Sequence, residues 1–112
     1  MRAIVRKVSS SFDQALAKYF GSGPTNLEEA FEQHEAYVKK LSDFGVSVKV
    51  IPSDSDYPDC CFVEDHAIVA GDSALMTNAG HDSRLGERND IESALSEDPV
   101  SYTHLTLPTS YA

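Results

Sequence analysis

Three carboxylates, Asp59, Glu64 and Asp65, lie within residues 57–69, and two of them are adjacent. The rest of this segment is rich in aromatic, β-branched and Cys residues, which is typical of a buried strand. Buried Asp and Glu side chains are rare unless they are paired with a cation or bind a ligand. A guanidinium group suits them, because its donors form a planar fork that carboxylates accept in pairs. The segment itself contains no Lys or Arg.

The cation for these carboxylates therefore comes either from a distant part of the chain or from a ligand. Arg6 and Arg84 are candidates for an ion pair within the protein. If the segment is a strand, its alternation places Glu64 and Asp65 on opposite faces. A flat strand cannot direct both at one ligand, whereas a twist or bulge at the strand end could do so. Periodicity alone leaves the ion pair and the ligand equally open.

The two cysteines, Cys60 and Cys61, are neighbours in the same segment. Adjacent strand residues point to opposite faces, so they are poorly placed for a disulfide, and their use favours a reducing compartment. The acidic surroundings disfavour a thiolate, so both are interpreted as structural residues rather than nucleophiles. The acidic stretch at 54–58 begins like a calcium loop, but Pro58 occupies a ligand position and the turn Gly is absent. We expect no metal or other cofactor.

The overall charge restricts the class of partner. The 112 residues carry a net charge of −9. Nucleic acids and anionic membranes are recognised through Lys and Arg clusters, so neither is expected as a partner. A small cationic ligand remains compatible with the composition. The sequence has no long apolar run near its start or elsewhere, so we expect a cytoplasmic protein. The oligomeric state is left open.

The elements that position the carboxylates alternate between strands and helices, which predicts the α/β class. The pattern Thr25-Asn26-Leu27-Glu28 indicates a capping box, and Gly45 fits the position just after a helix. The predicted elements are a strand at 2–8, a helix at 12–20, a helix at 27–44, a strand at 46–51, the carboxylate strand at 57–69, a hairpin partner at 73–77 and a helix at 84–95.

The last residues differ in character from the rest. Residues 100–112 contain no charged side chain and continue no helix. Residues 100–109 can be back-translated into a transposase adapter used for sequencing libraries. We therefore expect residues 1–99 to be the N-terminal part of a single domain, and residues 100–112 to be a non-native read-through tail. The source nucleotide sequence would contradict this if its codons differ from the adapter.

Several motifs together resemble one known family. The motif Pro58-Asp59-Cys60-Cys61-Phe62-Val63-Glu64-Asp65, followed by an apolar strand and Ser83-Arg84, is similar to the N-terminal part of dimethylarginine dimethylaminohydrolases. The opening Ala3-Ile4-Val5-Arg6, the stretch Gln33-His34-Glu35-Ala36-Tyr37 and the turn Asp43-Phe44-Gly45-Val46 fit in the same order. The resemblance covers residues 3–98. It implies an α/β propeller of five ββαβ units, of which this chain holds the first one to two.

The resemblance also implies a reaction and roles for individual residues. The complete protein would hydrolyse asymmetric dimethylarginine or monomethylarginine to citrulline and an amine. Glu64 and Asp65 would hold the substrate guanidinium, Asp59 would contact the substrate's α-amino group, and Arg84 would pair with its α-carboxylate. His66 departs from the family pattern, since an apolar residue is common at that position.

The resemblance places the reactive groups outside this chain. The family's catalytic Cys and His lie far downstream, and neither Cys60 nor Cys61 matches the nucleophile. The loop around Leu16 or Ala17 matches the mobile lid. We therefore expect this polypeptide to be inactive. An arginine deiminase or amidinotransferase, and a non-catalytic module that binds a cationic ligand, remain alternatives.

Overall fold

The computed structural model describes residues 1–15, 26–78 and 81–97, together with the backbone of 103–106. The chain divides into two compact units, Met1–Cys61 and Phe62–Ala112. Each unit combines strands with a helix, as the α/β prediction requires.

The first unit is a β-α-β arrangement. Strand β1 (Arg2–Arg6) pairs with strand β2 (Ser47–Ile51), and helix α1 (Leu27–Asp43) lies between them in the chain. The two strands are parallel, with Arg2 opposite Ser47 and Arg6 opposite Ile51. Parallel neighbours need a long crossover connection, which α1 supplies here. Both strands and the helix agree with the predicted positions to within about two residues.

The ends of α1 are set by capping. Asn26, rather than Thr25, is the N-cap residue, and its side chain accepts a hydrogen bond from the Glu29 backbone N–H at 3.1 Å. The predicted capping box is therefore wrong by one residue, because Asn is as good a cap as Thr. At the other end Gly45 has a φ of +87°, the left-handed conformation expected of a residue just after a helix.

The predicted helix at 12–20 is wrong over the part that the structure describes. Residues Phe12–Gln14 form a single 3-10 turn, and the next residue, Ala15, is extended with a ψ of 160°. The turn is closed by a hydrogen bond from the Gln14 N–H to the Ser11 carbonyl at 2.9 Å. Ser side chains can hydrogen-bond to nearby backbone groups, so short turns compete with helix where Ser residues cluster. Residues 16–25 lie outside the described part of the chain.

The second unit contains a three-stranded sheet. Strands β3 (Ala67–Ala70) and β4 (Ser73–Met76) form an antiparallel hairpin, and β5 (Thr103–Thr106) pairs with β4 in parallel. Gly71 has a φ of +60° in the hairpin turn, as a tight turn requires. The buried apolar residues of this unit are Ala74 and Met76 on β4 and Ile91, Ala94 and Leu95 on helix α2 (Arg88–Ser96). A 3-10 segment, Asp82–Glu87, leads into α2, so the predicted helix begins as a tighter turn.

The predicted strand at 57–69 is wrong for most of its length. Only Ala67–Ala70 is a strand, while residues 58–61 form turns and Val63–Asp65 is a 3-10 turn. Hydrogen bonds between residues three apart stabilise these turns, from the Cys60 N–H to the Tyr57 carbonyl and from the His66 N–H to the Val63 carbonyl, both at 3.1 Å. The alternation of strand faces therefore does not apply to Glu64 and Asp65.

Strand β5 lies inside the region predicted as a non-native tail, and the boundary near residue 99 stays a prediction. Within the described ranges, neither α1 nor α2 has the length and hydropathy needed to cross a bilayer. In the same part of the chain, no three His, Cys, Asp or Glu side chains are grouped closely enough to hold a metal ion.

Candidate functional site

The adjacent carboxylates Glu64 and Asp65 lie on the 3-10 turn before β3, and both are exposed. Burial of this pair was predicted from the strand interpretation, and that prediction is wrong because the turn directs them to solvent. Thr77 anchors the turn, since its hydroxyl donates to the Asp65 carbonyl and its backbone N–H donates to the His66 carbonyl at 3.0 Å. The turn is thus fixed to the residue that follows β4.

Arg84 forms an ion pair with Asp65. Its Nη1 donates to Asp65 Oδ2 at 2.7 Å, within the range of a strong charge-assisted hydrogen bond. The Arg84 side chain is only 12% exposed, whereas that of Asp65 is 52% exposed. The distant-arginine ion pair considered from the sequence is therefore present, with Arg84 as the cation. It leaves half of the Asp65 side chain open to solvent.

A buried carboxylate, Glu87, holds the other side of Arg84. Arg84 Nε donates to Glu87 Oε2 at 3.2 Å and Nη2 donates to Oε1 at 3.0 Å. Arg84 Nη2 also donates to the Phe62 carbonyl at 3.2 Å. The guanidinium is thus bound along two sides, by Glu87 on one and by Asp65 on the other.

His66, the residue just before β3, completes this cluster. Its Nε2 lies 2.9 Å from Glu87 Oε1, and both side chains are 1% exposed. Sequence reasoning identified neither residue as part of the site. The three-residue spacing of Arg84 and Glu87 on a helical turn was a usable signal. His66 stood out in the sequence only as a departure from the family pattern.

The pKa values in the cluster shift with the ion pairs. Burial, the largest influence, would raise the pKa of Glu87, but hydrogen bonds from His66 and Arg84 and the charge of Arg84 together lower it. Burial likewise would lower the pKa of Arg84, and the hydrogen bonds to Glu87 and Asp65 outweigh it and raise it. Both groups are therefore held in their charged forms.

The arrangement favours a cationic ligand. The carboxylates of Asp65 and Glu87 outnumber the single guanidinium of Arg84, and Glu64 adds a further exposed carboxylate beside them. A partly exposed carboxylate held in one orientation can accept hydrogen bonds from a second guanidinium without first being reorganised.

Asp59 lies in the first unit, in the turn after Pro58, and is 6% exposed, whereas Glu64, Asp65 and Arg84 lie in the second unit. Leu16 lies outside the described residues. Cys60 is 1% exposed and its thiol donates to the Lys7 carbonyl at 3.6 Å. Neither Cys60 nor Cys61 forms a disulfide, and the contact of Cys60 is that of a structural residue.

A sequence model of one protein family matches residues 4–109, nearly the whole chain. The description of that family is N,N dimethylarginine dimethylhydrolase, eukaryotic. This chain belongs to that family. The resemblance inferred from the motif around Glu64 and Asp65 is confirmed.

Curated relatives of this chain agree with the family assignment. The N(G),N(G)-dimethylarginine dimethylaminohydrolase of Pseudomonas aeruginosa is 37% identical over 70 residues, which are 62% of this chain and 28% of that protein. The enzyme of the same name from Streptomyces coelicolor is 35% identical over 95 residues, which are 84% of this chain and 36% of that protein. The chain thus spans about a third of the length of these relatives.

A solved structure places this family member in a known fold. The dimethylarginine dimethylaminohydrolase of Pseudomonas aeruginosa, a Cys-to-Ser mutant complexed with citrulline, superposes with a TM-score of 0.84 at 29% identity. The match covers 96% of this chain and 42% of that one. The predicted α/β propeller fold is confirmed, and the chain covers part of it.

Proposed function

We propose that this chain is the guanidinium-binding part of a longer hydrolase that converts N-methylated arginines to citrulline and an amine. The observation that carries the proposal is the Asp65 carboxylate, oriented by Arg84 and half open to solvent, within a family match over residues 4–109. The substrate would be a small cation, and the acidic composition is consistent with that choice.

Asp65 and Glu64 would serve as acceptors for the substrate guanidinium. A carboxylate beside the guanidinium keeps it cationic, so its central carbon stays open to attack by a nucleophile. The nucleophilic thiolate and the acid/base His would come from residues downstream of this chain. The thiolate attacks the central carbon, the imidazolium protonates the departing amine, and the imidazole then activates the water that releases citrulline.

The remaining site assignments rest on the resemblance. Asp59 would contact the substrate's α-amino group, and Leu16 would belong to a lid that closes over the substrate. Arg84 would pair with the α-carboxylate while its other N–H donors bind Glu87, Asp65 and the Phe62 carbonyl. A cytoplasmic location for the complete protein is supported by Cys60 and Cys61, which form no disulfide with each other.

A substrate comparison with the complete protein tests the proposal. Citrulline release would be measured from asymmetric dimethylarginine, monomethylarginine and unmethylated arginine under the same conditions. We expect both methylated substrates to be hydrolysed with a higher kcat/KM than arginine. A preference for arginine would assign the protein to the deiminase alternative. Binding of these cations without turnover would assign it to the binding-module alternative.

A further inference from the structure

The Arg84 guanidinium is hydrogen-bonded along the edge formed by Nε and Nη2. Glu87 accepts from both of these nitrogens, and the Phe62 carbonyl accepts from Nη2. The guanidinium is planar and rigid, so fixing one edge also fixes the direction of Nη1. That nitrogen is the one that donates to Asp65 Oδ2 at 2.7 Å. The position of the Asp65 carboxylate is therefore linked to Glu87 through a single rigid group.

His66 in turn holds Glu87. An ionised carboxylate only accepts hydrogen bonds, so the 2.9 Å contact requires that His66 Nε2 carries a proton. Arg84 Nη2 lies 3.4 Å from the same nitrogen, and both groups then donate to Glu87 Oε1. The opposite ring nitrogen, Nδ1, is buried with no hydrogen-bonding partner. A proton there would be a buried donor without an acceptor, which supports the Nε2–H tautomer.

We propose that Glu87 is a positioning residue for guanidinium binding, acting on Asp65 through Arg84, with His66 fixing Glu87. This inference rests on the proposed function for the identity of the ligand. It gives Arg84 a role in addition to the α-carboxylate contact that the resemblance implies. Glu87 and His66 are 1% exposed, so neither contacts the ligand from the open side of Asp65.

The chemistry of the cluster explains why a carboxylate is needed at position 87. The Arg84 side chain is only 12% exposed, so without Glu87 its Nε and Nη2 edge would lack its charged acceptor and have little access to water. The side chain would then turn to satisfy those donors, and Nη1 would leave Asp65. Asp65, which is half exposed, would no longer have one defined orientation for an incoming guanidinium.

A double-mutant cycle on the complete protein tests this inference. Glu87→Gln, Asp65→Asn and the double variant are compared with the unmodified protein by kcat/KM for asymmetric dimethylarginine. We expect Glu87→Gln to reduce kcat/KM about tenfold alone and by less than about twofold when Asp65→Asn is already present. A general loss of structure would reduce activity equally in both backgrounds, and that result would overturn the proposal. Glu32→Gln, an exposed helix position, is the matched control.

A second variant and a second readout keep the inference separate from the proposed function. If Glu87→Gln does not fold, Glu87→Asp replaces it in the double-mutant cycle. This variant keeps the carboxylate charge on a shorter side chain. If no guanidino compound is turned over, the proposed function fails, and NMR of the complete protein still tests the linkage. We expect a protonated His66 Nε2, and slow rotation of the Arg84 guanidinium that becomes fast in the position-87 variant. Unchanged rotation in that variant would overturn the inference.

Discussion

Asp65 is the residue on which the proposed chemistry depends most. Arg84 fixes one of its oxygens at 2.7 Å while about half of the side chain remains open. From the sequence, an ion pair with an arginine of the chain and binding of a cationic ligand were alternatives for Asp65, because one cation is enough to pair with a carboxylate. The structure shows that the ion pair with Arg84 still leaves the carboxylate accessible.

The sequence identified Asp65 and Arg84 as site residues, but not His66 and Glu87, which complete the cluster. A motif read along the chain reports residue types that are near in sequence. The contact of His66 with Glu87 joins residues 21 positions apart, and no pattern of periodicity connects them. Glu87 also looks like an ordinary surface residue in an acidic chain, because burial cannot be recognised from residue type alone.

The two roles considered for Arg84 make different predictions for substrates without a carboxylate. Arg84→Lys in the complete protein keeps the charge but cannot bind Glu87 and Asp65 together. We expect kcat/KM to fall about tenfold or more for dimethylarginine, and to fall also for its decarboxylated analogue, which has no carboxylate to contact Arg84. The measurement is steady-state kinetics on both compounds.

If Arg84 serves only to bind the α-carboxylate, only dimethylarginine would lose activity in this variant. Such a selective loss would contradict the positioning role. Lys39→Arg, at an exposed position of α1, is a control for the exchange of one cation for another.

At the scale of elements, prediction succeeded where one strong pattern extended over many residues. Helix α1 follows a long 3–4 spacing of apolar residues and ends before Gly45, so its limits were found to within a residue. The segment at 57–69 has strand composition, but polar residues and Pro58 allow local turns to satisfy the backbone without a neighbouring strand. Glu64 and Asp65 lie in the part of this segment where a strand was predicted and a 3-10 turn is found.

The cluster that connects the 3-10 segment Asp82–Glu87 to the turn before β3 should make stability depend on pH. The folded-state pKa of Glu87 lies below its ordinary value, so the unfolded state binds more protons as the solution is acidified. The stabilisation from Glu87 is complete above about pH 4.3 and is lost as the pH falls through its folded-state pKa.

We therefore expect the free energy of unfolding of the complete protein to fall more steeply below about pH 4.3 than that of Glu87→Gln. Denaturant unfolding at a series of pH values measures this difference. Glu32→Gln should keep the acid dependence of the unmodified protein. Parallel curves for the unmodified protein and Glu87→Gln would show that the buried pair does not contribute.

At the scale of the whole molecule, this chain carries apolar surface that its own described residues do not cover. Phe44 is 79% exposed in the first unit, and Ile68 and Val69 are 58% and 48% exposed on β3 in the second unit. Strand β3 lies at an edge of the described sheet. Uncovered apolar edge strands are prone to pair with other chains. Because the chain spans about a third of its relatives, we propose that further propeller units cover these faces.

The 112-residue chain alone should therefore self-associate and release no citrulline. Size-exclusion chromatography with light scattering would show oligomers, and Ile68→Lys should increase the monomer fraction by placing a charge on the edge strand. Ser93→Lys, on the exposed face of α2, adds the same charge and should not. A monomeric chain with a cooperative thermal transition would contradict this expectation.

The most direct test of the central claim is the kcat/KM of the complete protein for asymmetric dimethylarginine with and without the Asp65 carboxylate. We expect citrulline release by the unmodified protein, and a loss of about tenfold to a hundredfold in Asp65→Asn, the cost of a charge-assisted hydrogen bond to the guanidinium. Asp56→Asn, an exposed turn position, should retain full activity. Equal activity of Asp65→Asn and the unmodified protein would contradict the assignment of Asp65 to the substrate guanidinium.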